Sequence, residues 1–351
     1  MKITRGRKWG AALCSAMMLL LTTGPALANQ SGLQIAEEAT GNYAYEVVQY
    51  LSEDIGIRTS AGPKEAMARD YIVNQFREMG YQVELQPFSY VRRGVTYNSA
   101  NVIATKPGSR DDNTVIIGAH YDCAPSEPVD GMQGTGAGDN ASGVGVMLEA
   151  AKVLSDYKTA AAVKFVAFGA EEAGLRGSQY YASTMTQEEI DQTVTMINLD
   201  SVGAGDFFYV YAGLEGNPGW ARDLALKIGQ GMGRDLRTSP QSEFYDYGTT
   251  GDWSDHAAFR ALGIPVAYFE WMNWDIEPDG GMETAENGWI MHTEKDNLAF
   301  LSKDKLEQTT EVVAALTFQL AKTHLPKAEK GKIAPGSKYI SVQKRPGLPQ
   351  E

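Results

Sequence analysis

Short apolar runs alternate along the chain with stretches in which apolar residues recur every three or four positions. Two of the runs, residues 163–169 and 194–199, are apolar almost throughout, which is typical of strands buried on both faces of a parallel sheet. Further strands are predicted at residues 82–88, 101–105, 114–119, 207–211 and 264–269.

The amphipathic stretches predict helices between these strands. Residues 63–79 are the clearest case, with Pro63 in the first turn, one apolar face and Gly80 after the last turn. Alternating strands and helices indicate an α/β fold, a single three-layer domain with a mostly parallel central sheet flanked by helices. The other helices are predicted at residues 142–154, 175–183, 219–229 and 255–262, with a last one between Ser302 and Pro326.

The two ends of the chain differ from this pattern. Four basic residues lie within the first eight positions, residues 11–21 are apolar but short for a membrane span, and Ala26-Leu27-Ala28 has the form of a cleavage site. We interpret residues 1–28 as a secretory signal peptide cleaved after Ala28, which predicts a periplasmic or secreted protein. Residues 29–326 then form the folded domain, and residues 327–351 form a lysine- and proline-bearing C-terminal extension.

Charge and cysteine content exclude several classes of function. The chain has 31 lysines and arginines against 44 aspartates and glutamates. Such an acidic chain is a poor partner for nucleic acid, which is bound through lysine and arginine. No later stretch is long and apolar enough for stable membrane insertion. Cys14 leaves with the signal peptide, so Cys123 is the single remaining thiol, and we interpret it as a small buried residue.

Four clusters of acidic and histidine residues follow the predicted strands, where open α/β sheets place their ligand sites, and a fifth lies in a later loop before the final helix. Buried carboxylates at strand ends repel one another and lose hydration, and bound cations relieve both costs. The clusters are GAHYD (His120, Asp122), GAGDNASG (Asp139), FGAEEAG (Glu171, Glu172), NLDSVG (Asp200) and MHTEKDN (His292, Asp296).

The number of these groups favours two metal ions over one. Three carboxylates and two imidazoles exceed the three protein ligands that a catalytic zinc ion takes. If one carboxylate bridges, each of two ions receives one histidine, one terminal carboxylate and the shared carboxylate. These donors suit Zn²⁺, with Co²⁺ or Mn²⁺ as substitutes. In the Glu171–Glu172 pair, one carboxylate can bind metal while the other acts as general base.

One further histidine and one further acidic pair lie outside this set. His256 competes with His292 as the fifth ligand, because both lie in loop-like or helix-start positions and periodicity does not choose between them. A second acidic pair, Glu188–Glu189, lies in a polar stretch with no apolar strand before it, and we interpret it as a solvated helix face.

The motifs between His120 and Asn297 resemble those of the zinc-dependent aminopeptidases with two co-catalytic zinc ions, which include secreted leucyl-type aminopeptidases. Their order and spacing are those of the family, and the resemblance implies a single catalytic domain on this fold. The motifs are AHYD, GAGDNASGVGVMLEAAKVL, FVAFGAEEAGLRGSQYYA, INLDSVG, SDHAAFRALGIP and HTEKDN.

The resemblance assigns the metal ligands one by one. It implies that one zinc ion takes His120, Asp200 and Asp139, and that the other takes Glu172, His292 and Asp139, with Asp139 as the bridge. His256 is then a structural or supporting histidine.

The resemblance also assigns supporting roles. Glu171 becomes the general base, Asp122 lies behind His120, and Ser254 lies near the metal carboxylates. It further implies a cis peptide bond between Asp139 and Asn140.

One departure from the family pattern concerns the tyrosine that stabilises the oxyanion. Family members often carry it directly before the last histidine or just ahead of the SDH motif, where this chain has Met291 and Gly251. Tyr245 and Tyr247 are the candidates to replace it from a nearby loop. In a later aromatic and acidic loop, Trp271 and Trp274 are either pocket residues for the substrate's first side chain or caps of an edge loop. Glu270, Asp275 and Glu277 of this loop are candidates to attract a cationic end of the substrate.

The function implied by the resemblance is an exported, monomeric aminopeptidase. It hydrolyses the N-terminal peptide bond of peptides or proteins with a water activated by two zinc ions and with Glu171 as general base. One alternative is a glutaminyl cyclase, a relative that uses one zinc ion to cyclise N-terminal glutamine. Another is a secreted binding protein with an inactive site on the same fold. A carboxypeptidase and a two-metal phosphoesterase are further alternatives, placed after the cyclase.

Overall fold

The computed structural model describes residues 32–110, 112–214, 216–276 and 281–322. The predicted signal peptide and the C-terminal extension lie outside the described residues. Within these ranges, no helix combines the length and apolar composition that a membrane crossing requires.

Within the described residues, eight strands form one mixed sheet. The strands are β1 (Gln82–Arg92), β2 (Val95–Lys106), β3 (Thr114–His120), β4 (Ala162–Phe168), β5 (Thr193–Leu199), β6 (Phe207–Tyr211), β7 (Leu236–Arg237) and β8 (Val266–Met272). Their order across the sheet is β1-β2-β4-β3-β5-β8-β6-β7. The central neighbours β4, β3, β5 and β8 are parallel, whereas β2 and β6 run antiparallel to β4 and β8.

Helices cover both faces of this sheet. Three short turns lie between the longer elements described here. Two are π-helical, Tyr50–Ile55 and Ala137–Ser142, and one is a 3₁₀ turn, Leu298–Phe300. The helices are α1 (residues 32–38), α2 (Asn42–Gln49), α3 (Pro63–Glu78), α4 (Gly143–Ser155), α5 (Arg176–Thr184), α6 (Gln187–Gln192), α7 (Trp220–Gly231), α8 (His256–Arg260) and α9 (Lys303–Lys322).

The three layers follow from the alternation of side chains along the strands. Ile117 on β3 faces a large buried cluster shared with α2, α3, α4 and α9. The preceding residue, Ile116, faces a second cluster with Tyr181 of α5 and Phe259 of α8. The predicted three-layer α/β domain is therefore confirmed.

The predicted strands and helices are all present, with differences at their ends. The largest difference is in the first two strands: β1 continues to Arg92, and β2 already begins at Val95. The two strands form a hairpin, and its outer part was missed because it is exposed and carries no apolar run. The short edge strand β7 was not predicted. The Glu188–Glu189 pair lies on α6, where Thr186 and Glu189 form a capping box at the solvent, as expected for a solvated helix face.

Candidate metal centre

The centre lies where three neighbouring parallel strands end. His120 is the last residue of β3, and Asp200 directly follows β5. The corner with Glu171 and Glu172 follows β4, which pairs with β3. Because parallel strands end at the same edge of a sheet, residues far apart in sequence meet there.

The first group of donor atoms lies around His120 Nε2. His120 Nε2 lies 3.1 Å from Asp139 Oδ1 and 3.4 Å from Asp200 Oδ1. The donor atoms of His120, Asp200 and Glu171 also lie within 4.8 Å of one another. His120 Nε2 therefore faces one carboxylate oxygen of Asp139 and one of Asp200, with Glu171 beside them.

The second group uses the other oxygen of the same aspartate. His292 Nε2 lies 3.1 Å from Asp139 Oδ2 and 3.2 Å from Glu172 Oε2. Asp139 thus presents Oδ1 to one histidine and Oδ2 to the other. The structure therefore brings together all five residues for which the sequence predicted a metal-binding role.

Burial makes this concentration of charge costly. His120, Asp139, Glu171 and Asp200 are all at most 8 % exposed. Burial lowers the pKa of His120, but the carboxylates of Glu171 and Asp200 outweigh it and hold that pKa well above its usual range. The pKa of His292 is raised in the same way, against burial, by Glu172 and Asp139.

The carboxylates respond in different directions. Burial raises the pKa of Glu171 well above its usual value, although His120 opposes the change. Burial also acts to raise the pKa of Asp139, but its contacts with His120 and His292 outweigh this and lower it.

The donors fit zinc ions. Two ligands bound to one tetrahedral zinc ion at about 2.0–2.1 Å lie about 3.3 Å apart, which matches the separations in both groups. Asp139 Oδ1 is buried and accepts no hydrogen bond of ordinary geometry, even though His120 Nε2 is close to it. A cation between the two atoms satisfies both, since histidine nitrogen and carboxylate oxygen are common zinc ligands.

The corner after β4 separates the two glutamates. Ala170 adopts a left-handed backbone with φ of +52°, and the side chain of Glu172 then reaches His292 while Glu171 lies near His120 and Asp200. Glu172 Oε1 also accepts the main-chain N–H of Ala124 at 2.8 Å. Adjacent residues therefore serve different halves of the centre.

Asp122 supports both His120 and this corner. Its carboxylate oxygens accept the main-chain N–H groups of Glu171 at 3.0 Å and Glu172 at 3.2 Å. Its main-chain oxygen lies 3.2 Å from His120 Nδ1, and its Oδ1 lies 3.5 Å from the same nitrogen. The predicted place of Asp122 behind His120 therefore agrees with the structure.

The loop that carries Asp139 is held by the loop that carries His292. The peptide bond between Asp139 and Asn140 is cis, as the resemblance implies. Asp296 Oδ1 accepts the main-chain N–H of Gly138 at 2.6 Å and that of Asp139 at 3.3 Å. Glu283 accepts two N–H groups just before His292.

Neither Asp296 nor Glu283 was given a role by sequence reasoning. Asp296 lies in a motif that we had identified, but its partners are main-chain groups, which leave no pattern in the sequence. Glu283 belongs to no motif.

The structure places His256 away from the five donors. Its ring is fully buried, stacks on Tyr268 with the ring centroids 4.6 Å apart, and has Nε2 3.1 Å from the main-chain oxygen of Gly251. Burial lowers the pKa of His256 to about 4. Ser254, two residues earlier, accepts the side-chain amide of Asn198 at 2.7 Å and so supports the end of the strand that leads to Asp200.

Trp274 belongs to an aromatic cluster that contains Met291, and Tyr245 packs against that cluster. Tyr245 packs edge-on against Trp253 and Trp274, whereas Tyr247 is 62 % exposed beside Arg222. Trp274 is 1 % exposed.

Other predicted residues are part of the core. Trp271 donates to Thr309 on α9 and stacks on Phe208, so it packs between the sheet and a helix. For Trp271 and Trp274 this favours the interpretation as packing residues over that as pocket residues. Cys123 is buried, as expected, and burial raises the pKa of its thiol to about 11.

The first of the three acidic residues predicted to attract the substrate is hydrogen-bonded inside the protein core. Glu270 is fully buried and accepts hydrogen bonds from Tyr211 at 2.8 Å and Tyr268 at 2.6 Å. Asp275 has an exposed side chain, with one oxygen 3.8 Å from Arg237. Glu277 lies outside the described residues.

The chain is similar to known peptidases. Residues 101–317 match the description of peptidase family M28. Aminopeptidase YwaD of Bacillus subtilis is 32 % identical over 230 residues, which is 64 % of this chain but only 45 % of YwaD. The alkaline phosphatase isozyme conversion protein of Escherichia coli is 32 % identical over 267 residues, 70 % of this chain and 77 % of that protein.

Solved structures share the fold. BSAP, a zinc aminopeptidase from Bacillus subtilis, superposes with a TM-score of 0.67 at 19 % identity, covering 84 % of this chain and 98 % of BSAP. A glutaminyl cyclase from Porphyromonas gingivalis superposes with a TM-score of 0.60 at 25 % identity, covering 79 % of this chain and 97 % of the cyclase.

Proposed function

Because the chain belongs to peptidase family M28, a family of zinc-dependent peptidases, we propose that it is an exported metallo-aminopeptidase that removes N-terminal residues from peptides or proteins. Zinc-dependent peptidase chemistry is the part of this proposal that the family supplies. The number of zinc ions, the residue roles, the substrate end and export are our inferences.

One observation carries the proposal. The two carboxylate oxygens of Asp139 face two different histidines, each at 3.1 Å. A carboxylate in a site for one metal ion has no need to present both oxygens to separate donor sets. The arrangement therefore supports a pair of ions that share Asp139.

The residues that would hold the ions divide around that bridge. His120 and Asp200 complete one set, and Glu172 and His292 complete the other. When bound there, two zinc ions lower the pKa of water and polarise a substrate carbonyl group. Asp122, Asp296 and Glu283 keep the donors in place through the hydrogen bonds described above.

Glu171 moves the protons of the reaction. Its carboxylate takes a proton from the attacking water, whose oxygen bonds to the carbonyl carbon of the first peptide bond. When the C–N bond breaks, the Glu171 carboxyl group gives this proton to the leaving nitrogen, which becomes the new amino terminus. A pKa raised by burial suits a group that must both accept and return a proton.

The oxyanion needs a hydrogen-bond donor, and we propose Tyr245 ahead of Tyr247 for this role. Tyr245 packs against the aromatic cluster that includes Met291, next to His292. Tyr247 is largely exposed beside Arg222.

We expect zinc binding near pH 7 to release protons. The raised pKa values of His120 and His292 keep both rings protonated well above pH 6.5 in the protein alone, and zinc binds only the neutral ring. Affinity for zinc therefore rises with pH until both rings are neutral. Calorimetry in two buffers with different ionisation enthalpies measures the effect. Binding without proton release would contradict the predicted ligand set.

A peptide panel tests the proposed activity. Each peptide is supplied with a free and with an acetylated amino terminus, and products are followed by mass spectrometry before and after chelation of the metal. We expect residues to be lost one at a time from free termini only, and activity to stop after chelation. Cleavage of the acetylated peptides at internal bonds would contradict an aminopeptidase.

A glutaminyl cyclase is the second candidate, since a solved cyclase shares this fold at 25 % identity. A cyclase would release ammonia from N-terminal glutamine and leave the peptide otherwise whole. The same panel therefore separates the two enzymes. A binding protein with an inactive site would change none of the peptides. The presence of all five donors and Glu171 argues against it.

A further inference from the structure

A fully buried arginine lies directly beneath the metal-binding loops. The side chain of Arg58 is 0 % exposed. Among the described residues, its five hydrogen bonds all go to main-chain carbonyl oxygens, those of Leu51, Gly56, Tyr121, Thr135 and Gly136, at 2.7–3.1 Å. Burying a guanidinium group is costly, and these bonds to a charged donor offset that cost.

Three of the five oxygens belong to the segments that carry metal-binding residues. Nε of Arg58 donates to the oxygen of Tyr121, which lies between His120 and Asp122 in sequence, at 2.9 Å. The two Nη atoms donate to Thr135 and Gly136, at the start of the turn that leads to Asp139, at 2.8 and 2.7 Å. One planar group therefore ties the His120 segment to the Asp139 segment.

The loop before Asp139 packs tightly against Arg58. Gly136 has a φ of +68°, and a Cβ atom there would lie 2.3 Å from Cys123 Cβ and 2.7 Å from Arg58 Nη2. On its other side, the N–H groups of Thr135 and Gly136 donate to the main-chain oxygen of Asp296 at 2.7 and 3.1 Å. Hydrogen bonds to Arg58 on one side and to Asp296 on the other therefore fix the loop. A change at Arg58 is expected to shift the position of Asp139.

The residues that follow Arg58 reach the other corner of the centre. The Ser60 hydroxyl donates to Asp122 at 2.6 Å. Glu65 is 3 % exposed and accepts the N–H of Ala170, directly before Glu171, at 2.9 Å. This segment lies upstream of residue 101, where the match to the peptidase family begins.

From these contacts we propose that Arg58 is a positioning residue of the metal centre. It sets the spacing between His120 and the bridging Asp139, and so controls how tightly zinc is bound. The inference rests on the zinc centre of the proposed function.

The test compares Arg58→Lys with the unmodified chain. Lysine keeps the charge but lacks the planar fork, so it cannot hold both segments at once. Zinc affinity is measured for the first and second ion by competition with a chromophoric chelator. Thermal unfolding of the zinc-free protein is recorded alongside. We expect a roughly 10- to 100-fold loss of zinc affinity, as for other residues that orient metal ligands.

Gly136→Ala provides a second variant, because its added methyl group displaces the loop while the guanidinium group of Arg58 is retained. We expect this variant to lose zinc affinity by roughly 10- to 100-fold as well. If Arg58→Lys fails to fold, this variant alone tests whether the loop position controls zinc affinity. Glu149→Gln is the matched control. Glu149 is equally buried but accepts the N–H groups of Gly41 and Ala44 at the start of α2. This control should lower the unfolding temperature and leave zinc affinity unchanged.

Two outcomes are distinguishable from each other. If the unmodified chain binds two zinc ions but Arg58→Lys and Gly136→Ala bind them equally tightly, the positioning role is wrong and the proposed function stands. If the unmodified chain binds no zinc, the proposed function itself is wrong, and this inference falls with it.

Discussion

Replacing Glu171 with glutamine is expected to lower turnover by about 10²–10⁴-fold, the usual contribution of a general acid–base group. Glutamine has nearly the same shape but cannot take a proton from water or return one to the leaving nitrogen. Glu172, rather than Glu171, faces His292 and Asp139. Zinc content and the unfolding temperature should therefore remain those of the unmodified chain.

The chain offers a matched control for this variant. Glu188→Gln makes the same chemical change in the other acidic pair, on the solvent-exposed helix α6. Steady-state rates on one peptide and metal analysis are measured for both variants. Turnover of Glu171→Gln equal to that of Glu188→Gln would rule out the assigned proton transfer.

Replacing Asp139 with alanine is expected to empty both halves of the centre. Each half loses one donor, because Oδ1 faces His120 and Oδ2 faces His292. A metal ion contributes several kcal/mol to such a reaction, so activity should fall by about 10³-fold or more. Metal analysis should find fewer than about one zinc ion per chain where two are expected with a shared carboxylate.

Asp191→Ala on α6 is the control, since Asp191 is exposed and pairs only locally with Gln187 among the described hydrogen bonds. Zinc is measured after dialysis against metal-free buffer. Loss of one ion with full retention of the other in Asp139→Ala would show that the aspartate serves one site and does not bridge.

The central strands were predictable because burial on both faces leaves a strong pattern. Residues 163–169 and 194–199 are apolar almost throughout, and they form β4 and β5 to within one residue. The outer half of the β1–β2 hairpin was not predictable. It is exposed on both faces near Arg92 and Val95, so no apolar run marks it.

The donors of the metal centre were predictable for a related reason. Most of them follow strands whose parallel order brings their ends together, and charged residues after apolar runs are conspicuous in a sequence. The choice between His256 and His292 was not predictable from periodicity. The structure separates them, because His256 stacks inside the core while His292 faces Asp139.

The supporting residues were the hardest to predict. Arg58 and Glu65 lie more than 50 residues before the first histidine of the centre, and their partners there are mainly main-chain groups. Any residue type supplies a main-chain carbonyl or N–H group, so such contacts leave no trace in the sequence. Only the folded chain places these residues under the centre.

The most direct test of the account is a zinc titration of the chelated protein, with release of the N-terminal residue from a peptide followed at each step. The account predicts that activity is absent without metal and reaches its plateau at about two zinc ions per chain. Full release of the N-terminal residue at one ion per chain would contradict it, and so would loss of ammonia from N-terminal glutamine with the peptide otherwise whole.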